Sequence, residues 1–236
     1  MGLESCDRDY RAYVGPPQFY DLVAGLAAGL LFAVGLRETH KLLDLGCGSL
    51  RVGRVLIPYL RPDNYFGVEP NRWLIEEGIE KELGRDLVAL KRPSFRHVSD
   101  FSADAFGVPF DYALAQSIFS HTYPDMAASG LKGIAKALSP QGLLFATYFP
   151  GEETPAGSGW LYPGVVPYRW PRVREMASEA GLVAEPLSWP HPLQKWFVAG
   201  LPSAAESVRD LSCRVRPPLD DPVQDDPVQD EPGRGA

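Results

Sequence analysis

Residues 41–71, KLLDLGCGSLRVGRVLIPYLRPDNYFGVEPN, leave a folding chain few choices. A short apolar run, Leu42-Leu43-Asp44-Leu45, stops at Gly46-Cys47-Gly48-Ser49. Beyond it Leu50, Val52, Val55, Leu56, Tyr59 and Leu60 recur at helical spacing. Arg61-Pro62-Asp63-Asn64 breaks that helix, and Tyr65-Phe66-Gly67-Val68 reads as a second strand ending in Glu69. Strand, glycine turn, helix and strand in this order form a β-α-β unit, which belongs to a parallel sheet with helices on its faces.

In such a unit the glycines let the backbone turn sharply and bring main-chain N–H groups close to a nucleotide or cofactor. A carboxylate about 20 residues further on, at the tip of the second strand, can accept hydrogen bonds from both ribose hydroxyls. Glu69 stands at that place. Turn, helix and acid together signal an adenosyl cofactor. Dinucleotide sites keep a third glycine for close approach of the pyrophosphate, and here Arg51 takes that position. Asp44 would repel a pyrophosphate, whereas it can help to hold a cationic ligand such as S-adenosylmethionine, with its sulfonium and ammonium.

Asp44-Leu45-Gly46-Cys47-Gly48 resembles the first motif of the class I S-adenosylmethionine-dependent methyltransferases of the small-molecule type, and Gly67-Val68-Glu69 resembles their second. Ser99-Asp100-Phe101 sits where that family places an acid near the adenine amino group. Phe110-Asp111-Tyr112-Ala113-Leu114, continuing through His121, is similar to its fourth strand. The resemblance spans roughly residues 41–200. It implies an α/β, Rossmann-like doubly wound sheet of seven strands, mostly parallel with a terminal antiparallel strand, and S-adenosyl-L-methionine as cofactor. The cofactor-binding residues it implies, together with those that the ends of the strands should present, are Tyr13, Asp44, Gly46, Cys47, Gly48, Arg51, Glu69, Pro70, Asn71, Trp73, Asp100, Phe101, Gln116 and Ser117. Tyr13 belongs to a turn that either folds over the cofactor or simply leads into the first helix, and Trp73 either reaches the adenine or walls the groove.

The 236 residues, 45% of them hydrophobic, suffice for one sizeable domain. Residues 1–40 read as an N-terminal lid and helix, and residues 41–200 as the methyltransferase domain. Residues 150–170 form an aromatic lid loop within it. Residues 217–236 repeat Asp-Pro-Val-Gln-Asp and read as a disordered acidic tail. That tail carries six acids against Arg234, so most of the formal charge of -7 is there and the body is nearly neutral. A nearly neutral body argues against a nucleic-acid partner, and Arg51, Arg54 and Arg61 read as a solvated helix face. Cys6, Cys47 and Cys213 have no paired or metal-like spacing, which fits a reducing, cytoplasmic setting. The apolar run at 22–36 has about 15 residues, short of the roughly 20 a membrane span needs, and reads as a core helix within residues 18–35.

Further along, Asn71 is expected to cap a helix that runs to Gly84. Strands are expected at 94–98, with His97 facing solvent, at 110–116 and at 143–149. Thr122 is expected to cap a helix that begins at Pro124 and runs to Leu138. Pro171 opens a helix closed by Gly181, and strands at 182–187 and 195–199 form an antiparallel pair around Pro190-His191-Pro192.

Ligands of open α/β sheets lie beyond the carboxyl ends of the strands, so Gln116 to His121 should border the cleft. His121 is the leading general base, because imidazole titrates near neutrality; the alternative is that it braces the site. Tyr123, Tyr148 and His191 follow it. Phe119, Tyr123, Tyr148, Trp160 and Tyr162 are the expected substrate-binding residues, the last two from a lid loop that otherwise reads as inert surface. There is no Asn-Pro-Pro-aromatic sequence and no Pro-Cys nucleophile after the fourth strand, nor a carboxylate cluster for a metal. The expected activity is methyl transfer to an oxygen or nitrogen of a small molecule, in secondary metabolism, with no nucleic-acid or membrane partner. The alternatives are an NAD(P)-dependent oxidoreductase and a non-catalytic S-adenosylmethionine-binding partner protein.

Overall fold

A computed structural model describes residues 8–215. At its centre lies β1 (Leu42–Leu45), paired in parallel with β2 (Tyr65–Val68) on one side and β4 (Phe110–Ala115) on the other. β3 (Ser94–Arg96) extends the sheet beyond β2, and β5 (Leu138–Pro150) extends it beyond β4, both in parallel. The short β6 (Pro167–Tyr168) adds to the far end of β5. β7 (Val183–Leu187) and β8 (Lys195–Gly200) complete the order β3-β2-β1-β4-β5-β8-β7, with β8 antiparallel to both neighbours. This is the doubly wound, mostly parallel sheet with the antiparallel pair that the sequence predicts.

The two-residue period of a strand sends alternate side chains to opposite faces. From β1, Leu43 and Leu45 join the core under α5 (Pro124–Ala137) and α6 (Trp170–Glu179), with Leu131, Ile134, Val173 and Met176. Leu42 faces α1 (Tyr20–Ala33), α2 (Gly53–Tyr59) and α7 (Ala205–Arg214), with Leu30, Leu31, Leu56, Ile57 and Val208. Asp44 therefore points into the same layer as Leu42, an acid on an apolar face. The run read as a core helix is α1, whose Val23, Ala27, Leu30 and Leu31 are buried. No helix among the described residues is long and apolar enough to cross a membrane.

Several local expectations give way to competing contacts. The helix after Glu69 is α3 (Arg72–Gly78), followed by one π-type turn (Ile79–Leu83) that Gly84 ends at φ 83°. Asn71 stands at its start without capping it, because its amide is drawn back to Glu69. Thr122 does not cap α5 either: its hydroxyl donates to the carbonyl of Phe119, and Tyr123 occupies the cap position. β3 stops at Arg96, and His97 lies half-buried with Nδ1 3.0 Å from the Glu69 carbonyl instead of facing solvent. α4 (Arg85–Lys91) and α7 have no counterpart in the sequence reading. Because α7 buries Val208, the packed body extends past residue 200. The acidic tail at 217–236 lies outside the described residues.

The crossover helices hold the glycine turn at close quarters. A β-carbon on Gly78 of α3 would lie 2.3 Å from the Ser49 carbonyl oxygen and 2.7 Å from its carbon, both backbone atoms that cannot swing aside. Gly78→Ala is therefore expected to lower stability by about 1–3 kcal/mol, the usual cost of overpacking, and to loosen the turn. Chemical denaturation measures the first effect. A wild-type midpoint in this variant would mean that α3 is free to move.

Candidate active site

Between β1 and β4 the chain reverses its winding direction, and a cavity of about 400 Å³ opens there, beyond the carboxyl ends of β1, β2 and β4. Its floor is the turn after β1. Gly46 and Gly48 sit at φ 73° and 54°, a region that side chains disfavour, and the N–H groups of Gly46 and Cys47 both donate to the Val68 carbonyl at the end of β2. This doubled bond ties the turn to Glu69, the next residue.

Glu69 is 6% exposed. Its Oε1 accepts from the Asn71 backbone and side-chain amides at 2.8 and 2.9 Å, and its Oε2 accepts from the Gly48 N–H at 3.2 Å. Burial raises its pKa, and these three bonds partly offset the rise. Oε2 keeps a free lone pair, so the carboxylate can still receive a hydroxyl.

Asp44 is 3% exposed, and burial pushes its pKa up to about 6 against the pull of the Tyr65 hydroxyl, which donates to it at 2.6 Å, and of the Arg51 charge. Cys47 also lines the cavity, and burial holds its thiol protonated well above the ordinary range. Glycine turn, ribose-type acid and a second buried carboxylate make a donor set that suits a cationic nucleoside, so the residues present fit the adenosyl cofactor.

The roof comes from two distant segments. Glu82, on the turn after α3, accepts from Tyr10 at 2.9 Å and pairs with Arg11 at 2.6 Å and Arg54 at 3.2 Å, which anchors the N-terminal segment. Tyr13 then meets Trp73 edge-on at 5.2 Å and Tyr162 at 5.3 Å, and Tyr162 meets His121 at 5.1 Å. The loop carrying Tyr162 is fastened by backbone bonds from Leu161 to His121 and from Val166 to Ser120, both 2.8 Å. Trp160 lines the cavity from the same loop and lies over Phe101. Tyr168 turns inward to donate to the Thr122 carbonyl at 2.6 Å, and Trp170 packs on Phe197, so the loop divides its aromatics between cleft and core.

Ser117 stands at φ 61°, strained for a residue with a side chain, and its N–H is held by the Thr147 hydroxyl at 2.8 Å. That bend aims Gln116, Ser117 and Ile118 into the cleft. His121 follows on a short turn, with Nδ1 2.7 Å from the Gly164 carbonyl. A carbonyl only accepts, so Nδ1 carries the proton and Nε2 keeps its lone pair. Burial lowers the pKa of this histidine, with carbonyls of the lid loop opposing.

A second cavity, of about 220 Å³, adjoins the first and shares Val14, Arg51, Gln116, Ser117, His121 and Tyr162 with it. The structure thus brings Tyr13, Asp44, Gly46, Cys47, Gly48, Arg51, Glu69, Pro70, Asn71, Gln116, Ser117, His121, Trp160 and Tyr162 around one cleft. The other expected site residues lie elsewhere. Trp73 backs Tyr13 without lining the cavity, and Asp100 is exposed and holds Ser102 by two bonds, while Ser99 lines the cavity in its place. Phe101 is buried beneath Trp160. Phe119 and Tyr148 are buried against Phe197, and Tyr123 packs under Gly157. The strand period explains Tyr148: it faces the core, so its neighbour Phe149 faces the second cavity. Arg51 is 9% exposed, and Arg54 is engaged with Glu82 and Asp21, so the three arginines do not form one solvated face. His191, one of the weaker base candidates, lines the second cavity with Gln194, Phe19 and Val23, none of which is expected at the site. They come from segments that only the folded sheet brings together.

Residues 43–144 match a family model described as a methyltransferase domain. Among solved structures, the magnesium protoporphyrin IX methyltransferase of Synechocystis PCC 6803, with S-adenosylmethionine bound, is similar at 13% identity and a TM-score of 0.57, covering 78% of this chain and 80% of its own. The CcbJ methyltransferase of Streptomyces caelestis is similar at 18% identity and a TM-score of 0.56, covering 79% and 95%. The sugar N-methyltransferase KedS8 of Streptoalloteichus sp ATCC 53650 is similar at 16% identity and 0.55, covering 84% and 97%. At these identities the structures speak for the fold; the family match adds the strand, glycine turn and acid that build the cavity. Residues 43–144 are therefore a methyltransferase domain, carried on the fold of the S-adenosylmethionine-dependent methyltransferases.

Proposed function

We propose that the enzyme methylates an oxygen or nitrogen of a small molecule in secondary metabolism, with His121 as the general base. The observation that carries the role of His121 is its tautomer: the proton on Nδ1 is committed to the Gly164 carbonyl, and Nε2 is basic beside both cavities. The small volume of the second cavity and its mainly apolar walls support a small acceptor. A sugar N-methyltransferase among proteins of the same fold is in keeping with it.

In this reading Glu69 receives the ribose hydroxyls, Asp44 faces the cationic end of the cofactor, and Tyr13, Trp160 and Tyr162 cover the cleft and exclude water. S-adenosylmethionine, when bound, supplies a methyl group on a sulfonium that leaves as a neutral thioether. His121 Nε2 takes the proton that the attacking hydroxyl or amine must lose.

His121→Ala is expected to lower kcat by about 10²–10⁴-fold while S-adenosylhomocysteine still binds. Because burial moves its pKa below the ordinary imidazole value, the neutral base persists to lower pH. The acid limb of kcat, measured at saturating donor, is expected below pH about 6.5 and is lost in His121→Gln. Transfer of labelled methyl to a panel of small hydroxyl and amine acceptors checks both, and an unchanged rate without the imidazole would leave alignment alone as the mechanism.

A further inference from the structure

Arg51 stands at the junction of the two cavities and is nearly buried. Its Nη1 donates to the Val14 carbonyl at 3.0 Å and its Nη2 donates to the Gln116 carbonyl oxygen, both neutral acceptors. Among the described residues no carboxylate lies within 4.0 Å of it, whereas the partly buried Arg54 pairs with Asp21 and Glu82. Asp44 attracts this guanidinium only from beyond 4.0 Å, and a buried guanidinium with no carboxylate in direct contact is costly, a cost that a contacting anion relieves.

The groups beside Arg51 are also donors. His191 Nδ1 accepts the backbone N–H groups of Leu193 at 3.1 Å and Gln194 at 2.9 Å, so the ring proton sits on Nε2. That Nε2 lies 3.2 Å from the Gln116 Nε2, whose orientation is set because the other end of the amide accepts from Arg51. One N–H of that amide donates to the Ser117 hydroxyl at 2.5 Å, and the other faces the His191 N–H with no acceptor between them. An oxygen lodged there takes both. His191 lines only the second cavity, so this side of the junction opens toward the acceptor. Apart from Gln194, the rest of that cavity is walled mainly by apolar residues, Phe19, Val23, Phe149, Val165 and Leu193 among them.

We infer that the methyl acceptor carries a carboxylate on a compact apolar body, held where the two cavities meet by Arg51 together with the side-chain N–H groups of Gln116 and His191. This rests on the methyl-transfer reading above. The geometry pairs an anionic guest with the cationic donor and with Arg51, and it makes Arg51 and His191 determinants of substrate choice.

The test is equilibrium binding of 4-hydroxybenzoate and of its neutral amide, 4-hydroxybenzamide, to the protein saturated with S-adenosylhomocysteine. The acid is expected to bind at least about tenfold tighter than the amide, as one charge-assisted pair provides. Arg51→Met should remove that preference, and His191→Phe, which keeps the ring volume, should reduce it severalfold even if the Arg51 variant fails to fold. Equal binding of acid and amide to the wild type, or binding of neither, overturns the inference. So does an Arg51→Met protein that keeps the preference and loses S-adenosylhomocysteine, for then the cation serves the donor's own carboxylate. A wild type that binds no S-adenosylhomocysteine while still preferring the acid would instead sink the methyl-transfer reading and leave the anion site standing.

Discussion

Glu69→Ala is expected to weaken S-adenosylhomocysteine binding by about 10²–10⁴-fold, the largest loss from any single side chain in the cleft. Each hydrogen bond between a hydroxyl and a buried carboxylate is worth about 1.5–3 kcal/mol, and each 1.4 kcal/mol is tenfold in affinity. The variant loses two such bonds if both ribose hydroxyls reach the carboxylate. It also strands the Gly48 N–H and the Asn71 amides, whose present acceptor is Glu69 itself. The turn between Gly46 and Ser49 would then relax, because Glu69 fastens it from the far side. Glu69→Gln, which keeps an acceptor oxygen but no charge, should fall between the two. Calorimetric titration at fixed pH reads both; a Glu69→Ala protein within about threefold of wild type would remove this residue from the cofactor site.

Asp44→Asn is expected to act in opposite directions on stability and on binding. In the folded protein the pKa of Asp44 is raised from 3.8 to about 6, with burial as the main cause. For an acid raised in this way the favourable contribution to folding is present below the unfolded value and is lost as pH rises through about 6, so at pH 7 the ionised group costs stability. Roughly two pKa units correspond to about 3 kcal/mol, and the asparagine variant should recover much of that at neutral pH while keeping an acceptor for the Tyr65 hydroxyl. Its affinity for the donor should drop, because a charge opposite the sulfonium and ammonium is gone. In the wild type a cationic ligand lowers the pKa of Asp44 on binding, so affinity should fall as pH drops below about 6, with proton release in that window. The asparagine variant should lack that dependence. Urea denaturation at pH 5 and pH 7.5 and titrations across the same range measure the two effects. An Asp44→Asn protein less stable than wild type at neutral pH would show that the carboxylate is better solvated than its burial implies.

How much of this was legible beforehand follows from where the information lies. The β1 strand, the glycine turn and Glu69 are consecutive or nearly so, and their spacing is dictated by one β-α-β crossover, so the sequence alone predicts the sheet and the cofactor end of the cleft. The acceptor end is different. Its walls come from Phe19, Phe149, His191 and Gln194, which are remote in sequence and meet only because β8 and β5 pair and α1 closes over them. No periodicity reports such a meeting. Phe119 and Tyr123 follow the end of β4 and Tyr148 lies near the end of β5, which suggests the wall, but the direction of a side chain at those points depends on the bend at Ser117 and on the register of β5. Asn71 and Thr122 show the same limit for helix caps: each has the right residue type at the right place, and each gives its polar group to a nearer partner. The half-buried His97 could have been suspected from its position at the end of a strand beside Glu69. The burial of Arg51 could have been suspected from its place immediately after the turn.

The most direct test of the central claim is a calorimetric titration of the wild-type protein with S-adenosylmethionine at pH 7.5, repeated with NAD. Saturable binding of S-adenosylmethionine at one site per chain, displaced by S-adenosylhomocysteine and lost in Glu69→Ala, is expected, with no binding of NAD. Absence of binding by the sulfonium nucleoside, or saturable binding of NAD that depends on the same glutamate, would contradict it.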